Sequence, residues 1–462
     1  MTLPPQPLSP LDGRYRGAVE GLGEYLSEAG LNKARVYVEV EWLLFCADNG
    51  LFSAPNVSED DASALREWAA NFGEAEIAEL AATEAVTRHD VKAVEYLVRA
   101  KLDALGLESI AELTHIACTS EDINNLSYAV TIRDAVHKVW LPSFRRVTGQ
   151  LSALAKEHQD LPMLSRTHGQ PATPTTLGKE FAVFVYRLNR LADQVEQVAV
   201  LGKFSGATGT FGAHLVADPS VDWPRRSEEF VGSLGLEWNP LTTQIESHDW
   251  QAELFSRISH AGRVLHNLCT DIWTYISLGY FTQIPVAGAT GSSTMPHKVN
   301  PIRFENAEAN LELASALLES LAQTLVTSRL QRDLTDSSTQ RNIGVALGHS
   351  LLALDNIHRG LKEFSVNEAL IAEDLDGNWE VLGEAIQTVI RAEVVAGRST
   401  IADPYAVLKE LTRGRRIGSA ELIEFVDGLD IGDEAKARLR ELTPHTYVGL
   451  ASELTNLAPS PR

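Results

Sequence analysis

The chain has 462 residues, 44% of them hydrophobic and 22% charged, enough for two or three globular domains around a sizeable core. Its 62 Asp and Glu against 40 Lys and Arg leave a net charge of −22, which argues against nucleic acid or an anionic membrane as partner but leaves room for a few arginines gathered in one pocket. No uncharged apolar run reaches membrane-spanning length and the start, MTLPPQPLSP, lacks a charged-then-apolar leader, so the expected compartment is the cytoplasm.

In chain order, residues 1–111 open Pro-rich and read as a mixed, mostly helical region. Residues 112–364 read as a central bundle of long helices, because apolar residues recur there at alternating three- and four-residue steps. Phe184, Leu188, Leu191, Val195 and Val198 make one stripe; Leu254, Ile258, Ala261, Leu265, Leu268 and Ile272 make another. A third runs through Leu311, Ala314, Leu318, Leu321 and Leu325, and a fourth through Leu347, Leu351, Leu354 and Leu361. Stripes of this kind are core seams rather than cofactor boxes. Between them, residues 165–178, 202–214 and 284–301 are rich in Gly, Ser, Thr and Pro and read as loops, where reactive side chains usually sit. Residues 365–462 form a smaller helical region punctuated by Pro404, Gly414 and Gly428. No strongly alternating strand of useful length appears, and the expected fold is mainly α.

The Gly-rich stretch GKFSGATGTFGAH (202–214) fails the spacing of a phosphate-cradling loop, since Phe204 stands where Ser or Thr is required. It reads as a substrate-lining or helix-joining loop. Cys46, Cys118 and Cys269 are too widely spaced for a zinc site or a disulfide framework. His89 and His115 stand without an HExxH pattern, so neither a metal nor a cofactor is expected.

The strongest chemical signal is Gly291-Ser292-Ser293-Thr294-Met295-Pro296-His297-Lys298-Val299-Asn300-Pro301, followed by Glu305. Two hydroxyls, a lysine and an amide just ahead of a proline-initiated helix suit the binding of an anion, although an ordinary polar loop with a helix cap would read the same way. This long, gapless run resembles the signature of the fumarase/aspartase superfamily, whose members eliminate fumarate from a substituted succinate. Other segments are similar to the same superfamily: Ser9-Pro10-Leu11-Asp12-Gly13-Arg14-Tyr15, Thr87-Arg88-His89-Asp90-Val91 and Thr119-Ser120-Glu121-Asp122. So are Ser165-Arg166-Thr167-His168-Gly169-Gln170-Pro171-Ala172-Thr173-Pro174 and Arg332-Asp333-Leu334-Thr335-Asp336-Ser337-Ser338, with LKELTRG (408–414) beyond. Ser247 departs from the pattern, because relatives often carry proline there.

The resemblance implies a three-domain fold with a long central helical bundle, and a homotetramer whose sites draw residues from several subunits. It implies no metal and no cofactor. The Pro-His-Lys form resembles the branch that takes succinylated purine nucleotides and a succinylated imidazole carboxamide ribotide. It assigns the carbon base to Ser292, with Ser293 as neighbour, and the general acid to His168, with His89 as rival. Lys298, Asn300, Thr119 and Ser120 would hold the succinyl carboxylates, and Gln244 would contact the succinyl or carboxamide side. Arg14, Tyr15, Arg88, Arg332, Ser337 and Arg341 match nucleotide and phosphate contacts; His89, held by Asp90, would orient the phosphate or assist His168, and Ser338 would also bind substrate. Two alternatives stay open: another fumarate-releasing lyase, of the argininosuccinate or carboxymuconate type, and a catalytically silent helical relative.

Overall fold

The computed structural model describes residues 6–285, 295, 298–412 and 417–459, and most of its regular structure is helical. Helices α1 (Arg16–Leu26), α2 (Glu28–Asp48), α3 (Glu59–Ala70), α4 (Glu74–Thr87) and α5 (Asp90–Ala104) precede α6 (Ser120–Ala135) and α7 (Leu141–Glu157). Strands β1 (Pro162–Thr167) and β2 (Gln170–Thr176) lead into α8 (Leu177–Glu196), then β3 (Leu201–Gly202), α9 (Gly212–Ala217), α10 (Trp223–Ser233), β4 (Glu237–Trp238) and α11 (Asp249–Ser277). Next come β5 (Phe281–Gln283), α12 (Ile302–Leu325), α13 (Thr335–Gln340), α14 (Ile343–Gly360), β6 (Phe364–Val366) and α15 (Glu368–Asp376). The chain finishes through α16 (Gly383–Val395), α17 (Pro404–Thr412), α18 (Ser419–Gly428), α19 (Asp433–Arg440) and α20 (Ala451–Thr455).

The residues gather into two compact units, Met1–Phe144 with Leu191–Arg263 and Ala309–Asp355, and Arg145–Arg190 with Val264–Glu308 and Asn356–Arg462. Every residue of the four apolar stripes is buried, so the periodicity reports packing as expected. In the first unit Trp42 packs against Phe204 and Phe230, ring centroids 4.4 and 5.0 Å away. In the second, Phe281 of β5 stacks on Phe364 of β6 at 4.6 Å, and Leu164 of β1 is buried with Leu375 and Val381. Helix starts follow their caps: the Ser27 hydroxyl accepts from the Gly30 N–H, and Ser58 caps α3, whose first turn carries Glu59, Asp60 and Asp61.

One expectation needs correcting. Residues 165–178, read as a loop, form most of an antiparallel hairpin, with Arg166 opposite Pro171 and Thr167 opposite Gln170. Its two turn residues, His168 (φ 54°) and Gly169 (φ 73°), are both left-handed, as a type I′ hairpin turn requires. Pro171 and Pro174 disguised the strand, but a two-stranded sheet gives each strand a free edge where proline is tolerated.

Gly178, at the start of α8, is pressed against the end of α7. A Cβ there would lie 2.4 Å from the Ala155 carbonyl oxygen and 2.5 Å from the Gln159 Cα, both backbone atoms that cannot swing away. Gly178→Ala should therefore cost about 1–3 kcal/mol, the usual range for overpacking. Gly23→Ala, with nothing within 4 Å of its Cβ on α1, should be neutral or gain about 0.5–1 kcal/mol of helix propensity. Paired thermal melts followed by circular dichroism check the contrast, and equal melting temperatures for the two variants would refute it.

Candidate active site

The first unit holds most of the nominated residues. Thr119 is the N-cap of α6 and Ser120 its first residue; the Asp122 carboxylate closes the capping box by accepting from the Thr119 N–H at 2.8 Å. That carboxylate is wholly buried and accepts from the Ser205 N–H at 2.9 Å, from the Gly206 N–H at 3.1 Å and from the Lys203 ammonium at 2.7 Å. Asn125 grips the N–H and carbonyl of Lys203, tying residues 202–206 to α6. Lys203 is thus an internal counter-ion, and the Gly-rich stretch joins β3 to α9.

Next to Asp122, Glu121 accepts from Arg332 Nη2 at 2.9 Å and from Asn124 Nδ2 at 2.7 Å. Arg332 Nη1 meets Gln244 Oε1 at 3.4 Å. The Asn124 oxygen accepts from Arg35 Nε at 2.9 Å, and Arg35 Nη2 pairs with Asp90 Oδ2 at 2.8 Å. Asp90 Oδ2 also meets Arg341 Nη2 at 3.3 Å, and Arg341 pairs in turn with Glu28. A continuous polar chain therefore links Gln244, Arg332, Asp90 and Arg341 across segments far apart in sequence. Burial pushes the Glu121 carboxyl up, against the pull of Arg332 and Asn124. Burial acts the same way on Asp90, but Arg35, the Val91 N–H and Arg341 outweigh it and hold that carboxyl below its usual range.

Arg88, in a left-handed conformation (φ 53°), and His89 form the junction between α4 and α5, and both are exposed. His89 caps α5 by accepting from the Lys92 N–H through Nδ1 at 3.2 Å, so the neutral ring carries its proton on Nε2 and presents a donor. Arg14 is exposed just ahead of α1, 5.8 Å from the centre of the half-buried Tyr15 ring. Ser337 is half-buried in α13, its N–H donating to the buried Asp336 at 2.6 Å; Ser338 is exposed. Asp336 Oδ2 stands 3.5 Å from the Nε2 of buried His248. At the expected departure from pattern, the Ser247 hydroxyl donates to Asp249 at 2.9 Å, at the start of α11.

The second unit holds the rest. His168 is exposed at the hairpin tip, and Lys298 and Asn300 lie in the segment ahead of α12, exposed and half-buried respectively. Ser292 and Ser293 lie outside the described residues. Among the described residues no group of three or more His, Cys, Asp or Glu could hold a metal ion. No described helix is long and apolar enough to cross a membrane.

Several organising residues carry no role in the motif reading: Glu121, Asp122 and Lys203, which lie inside quoted segments, and Arg35, Asn124 and Glu39, which do not. Two had a visible signal. Arg35 and Glu39 lie four residues apart within the apolar run of α2 and are both buried, and charges embedded in an apolar helix face mark a buried polar partner. For Glu39 that partner is His115, whose Nδ1 lies 2.6 Å away and whose N–H donates at 3.0 Å.

Residues 13–314 match the family described as "Lyase", and residues 328–448 match the one described as "Adenylosuccinate lyase C-terminal". Adenylosuccinate lyase of Haemophilus influenzae is 48% identical over 449 residues, 97% of either chain. That of Escherichia coli K12 is 48% identical over 446 residues, 96% of either chain. Among solved structures, a 3-carboxy-cis,cis-muconate lactonizing enzyme from Pseudomonas putida superposes with a TM-score of 0.71 at 21% identity, covering 95% of this chain and 96% of its own. A fumarate lyase from Mesorhizobium does so with a TM-score of 0.72 at 20% identity, covering 95% and 97%. These two share the fold.

The His115–Glu39 pair makes a pH prediction. Burial alone would lower the His115 pKa, but the hydrogen bond and charge of Glu39, helped by Glu95 and Asp122, raise it above the ordinary 6.5. Folding therefore favours the protonated ring, a gain that is complete below pH 6.5 and lost as pH climbs through the raised value. Urea midpoints should fall more steeply as pH rises above 6.5 in the native protein than in Glu39→Gln. Equal slopes would show that the pair is not coupled to folding.

Proposed function

Because the chain belongs to the adenylosuccinate lyase family, we propose that it releases fumarate from adenylosuccinate, giving AMP, and from the succinylated imidazole carboxamide ribotide. The observation that carries this reading is the arrangement around the start of α6. There Thr119 and Ser120 open the helix turn whose next residue, Glu121, holds Arg332 together with Gln244. Hydroxyl and N–H donors at a helix N-terminus, next to a guanidinium, suit a substrate carrying carboxylates and a phosphate.

The reaction removes a proton beside one succinyl carboxylate while nitrogen departs from the neighbouring carbon. Ser292 is assigned as base; as an alkoxide it needs nearby positive charge, for which Lys298 and the start of α12 are placed in sequence. Charge gathers on the carboxylate as the carbon loses its proton. Fixed donors from Lys298, Asn300, Thr119 and Ser120 would stabilise it more in the transition state than in the bound substrate. His168 is assigned as the acid that protonates the leaving nitrogen, since imidazole titrates closest to neutral pH. The Nε2 donor of His89, with Arg14, Arg88, Arg332 and Arg341, suits the phosphate, while Tyr15, Ser337 and Ser338 would line the nucleotide. Asp90 would act by holding Arg341 and Arg35 rather than by meeting an anion itself.

We take the assembly to be a cytoplasmic homotetramer with sites shared between subunits. Supporting this, Val183 and Tyr186 of α8, Trp273 of α11 and Leu313 of α12 leave apolar surface exposed on long helices of the single chain.

Absorbance measured as purified protein meets adenylosuccinate, with argininosuccinate as control, tests the substrate; turnover of the control alone would overturn the reading. For the site, Ser292→Ala and His168→Asn should each lower turnover by about 10²–10⁴-fold. Mixed under conditions that exchange subunits, the two inactive proteins should regain activity, because some sites then draw an intact serine and an intact histidine from different chains. A mixture that stays inactive despite verified exchange would place both residues in one chain.

A further inference from the structure

A two-stranded hairpin is marginal by itself, so one that carries a reacting group at its tip needs an outside anchor. Within the second unit, the apolar part of that anchor is Leu164 of β1, buried with Leu375 of α15 and Val381. The polar part is Asp374, the residue before Leu375. Its Oδ2 accepts from Arg166 Nη2 at 2.5 Å, two residues ahead of His168. The same oxygen accepts from the Tyr280 hydroxyl, and Asn378 Nδ2 lies 3.4 Å from Oδ1.

Tyr280 is 2% exposed and immediately precedes β5, the strand that leads toward Ser292. Its carbonyl accepts from the Asn367 N–H at 2.7 Å, at the N-cap of α15. Burial, with the Asp374 charge, pushes its hydroxyl up to about 12, so it remains a donor throughout the neutral range. One carboxylate thus receives a cation from the hairpin and a hydroxyl from the approach to the signature segment.

We propose that Asp374 is a positioning residue for the elimination, its Oδ2 holding Arg166 and Tyr280 together so that the His168 hairpin is fixed in the orientation that delivers the proton. This rests on the reading of His168 as the acid. Asp374 itself touches no substrate; it acts through the stiffness of β1. Its loss leaves the His168 imidazole chemically intact but poorly aimed, which slows protonation of the leaving nitrogen and leaves binding by the first-unit arginines untouched.

The test is a double-mutant cycle in the full-length protein, reading kcat, KM and melting temperature for Asp374→Asn, His168→Asn and the double variant. Asp374→Asn should lower kcat about 10–100-fold, with KM within about two-fold, and Asp374→Glu should recover part of the loss. The double variant should be no slower than His168→Asn alone, because a residue that acts only through His168 has nothing left to act on. Losses that multiply would overturn the proposal, as would full turnover in Asp374→Asn beside an inactive His168→Asn. Full turnover in His168→Asn would instead remove the acid reading, and this proposal with it. If Asp374→Asn does not fold, Arg166→Gln and Tyr280→Phe each remove one arm of the clamp and enter the same cycle.

Discussion

The Asp122 carboxylate is the constraint on which the first unit turns. It has no access to solvent, faces the equally buried Lys203 ammonium, and receives backbone N–H groups from Thr119, Ser205 and Gly206. A buried ion pair offsets its desolvation only when the remaining lone pairs are also satisfied, and here they are. Removing one partner would leave a buried charge unmatched, a loss of about 3–5 kcal/mol. The arrangement joins the start of α6 to the strand-to-helix connection at 202–212, and so fixes where Thr119, Ser120 and Glu121 stand. From Glu121 onward each position depends on the one before it: Glu121 holds Arg332, Asn124 holds Arg35, and Arg35 holds Asp90.

Such a network explains how an acidic chain keeps several guanidinium groups in fixed geometry without their repelling one another. Arg35, Arg332 and Arg341 each face at least one carboxylate, so their orientation is paid for before any ligand arrives. Donors held in this way need little further ordering, the condition under which electrostatic stabilisation is most effective. The partly exposed Arg341 differs from the others, since its pairing with Glu28 lies at the surface and solvent screens it.

The helical bundle was legible because burial imposes a period. Every stripe residue from Phe184 to Leu361 is buried, and that regularity survives without knowledge of any neighbour. The hairpin was not legible, because Gln170 to Thr176 alternates no apolar residues and contains two prolines; its strand conformation comes from pairing with Pro162–Thr167 and from the α15 anchor. Motif resemblance nominated residues that face outward or line a turn, such as His168, Arg88 and His89. It passed over Asn124 and Lys203, whose work is done inward and whose partners lie 78 to 89 positions away in the chain. Long-range polar pairing leaves no periodic trace, so only the folded structure reveals it.

The backbone at the hairpin tip also bears on how this chain can drift. His168 occupies the left-handed region, which costs a typical L-residue about 1–2 kcal/mol and is tolerated mainly by glycine, asparagine and aspartate, with histidine among the side chains also enriched there. Of these, histidine alone titrates near neutral pH without help from its surroundings. With His168 as the proposed acid, lineages would meet two independent filters at one codon, a conformational filter that admits a handful of residues and a chemical one that admits a single member of that handful. A descendant that lost the reaction but kept the fold would be free of the second filter only. The mark of such a history would be asparagine, aspartate or glycine at this position, rather than the broad mixture found where a surface loop is unconstrained.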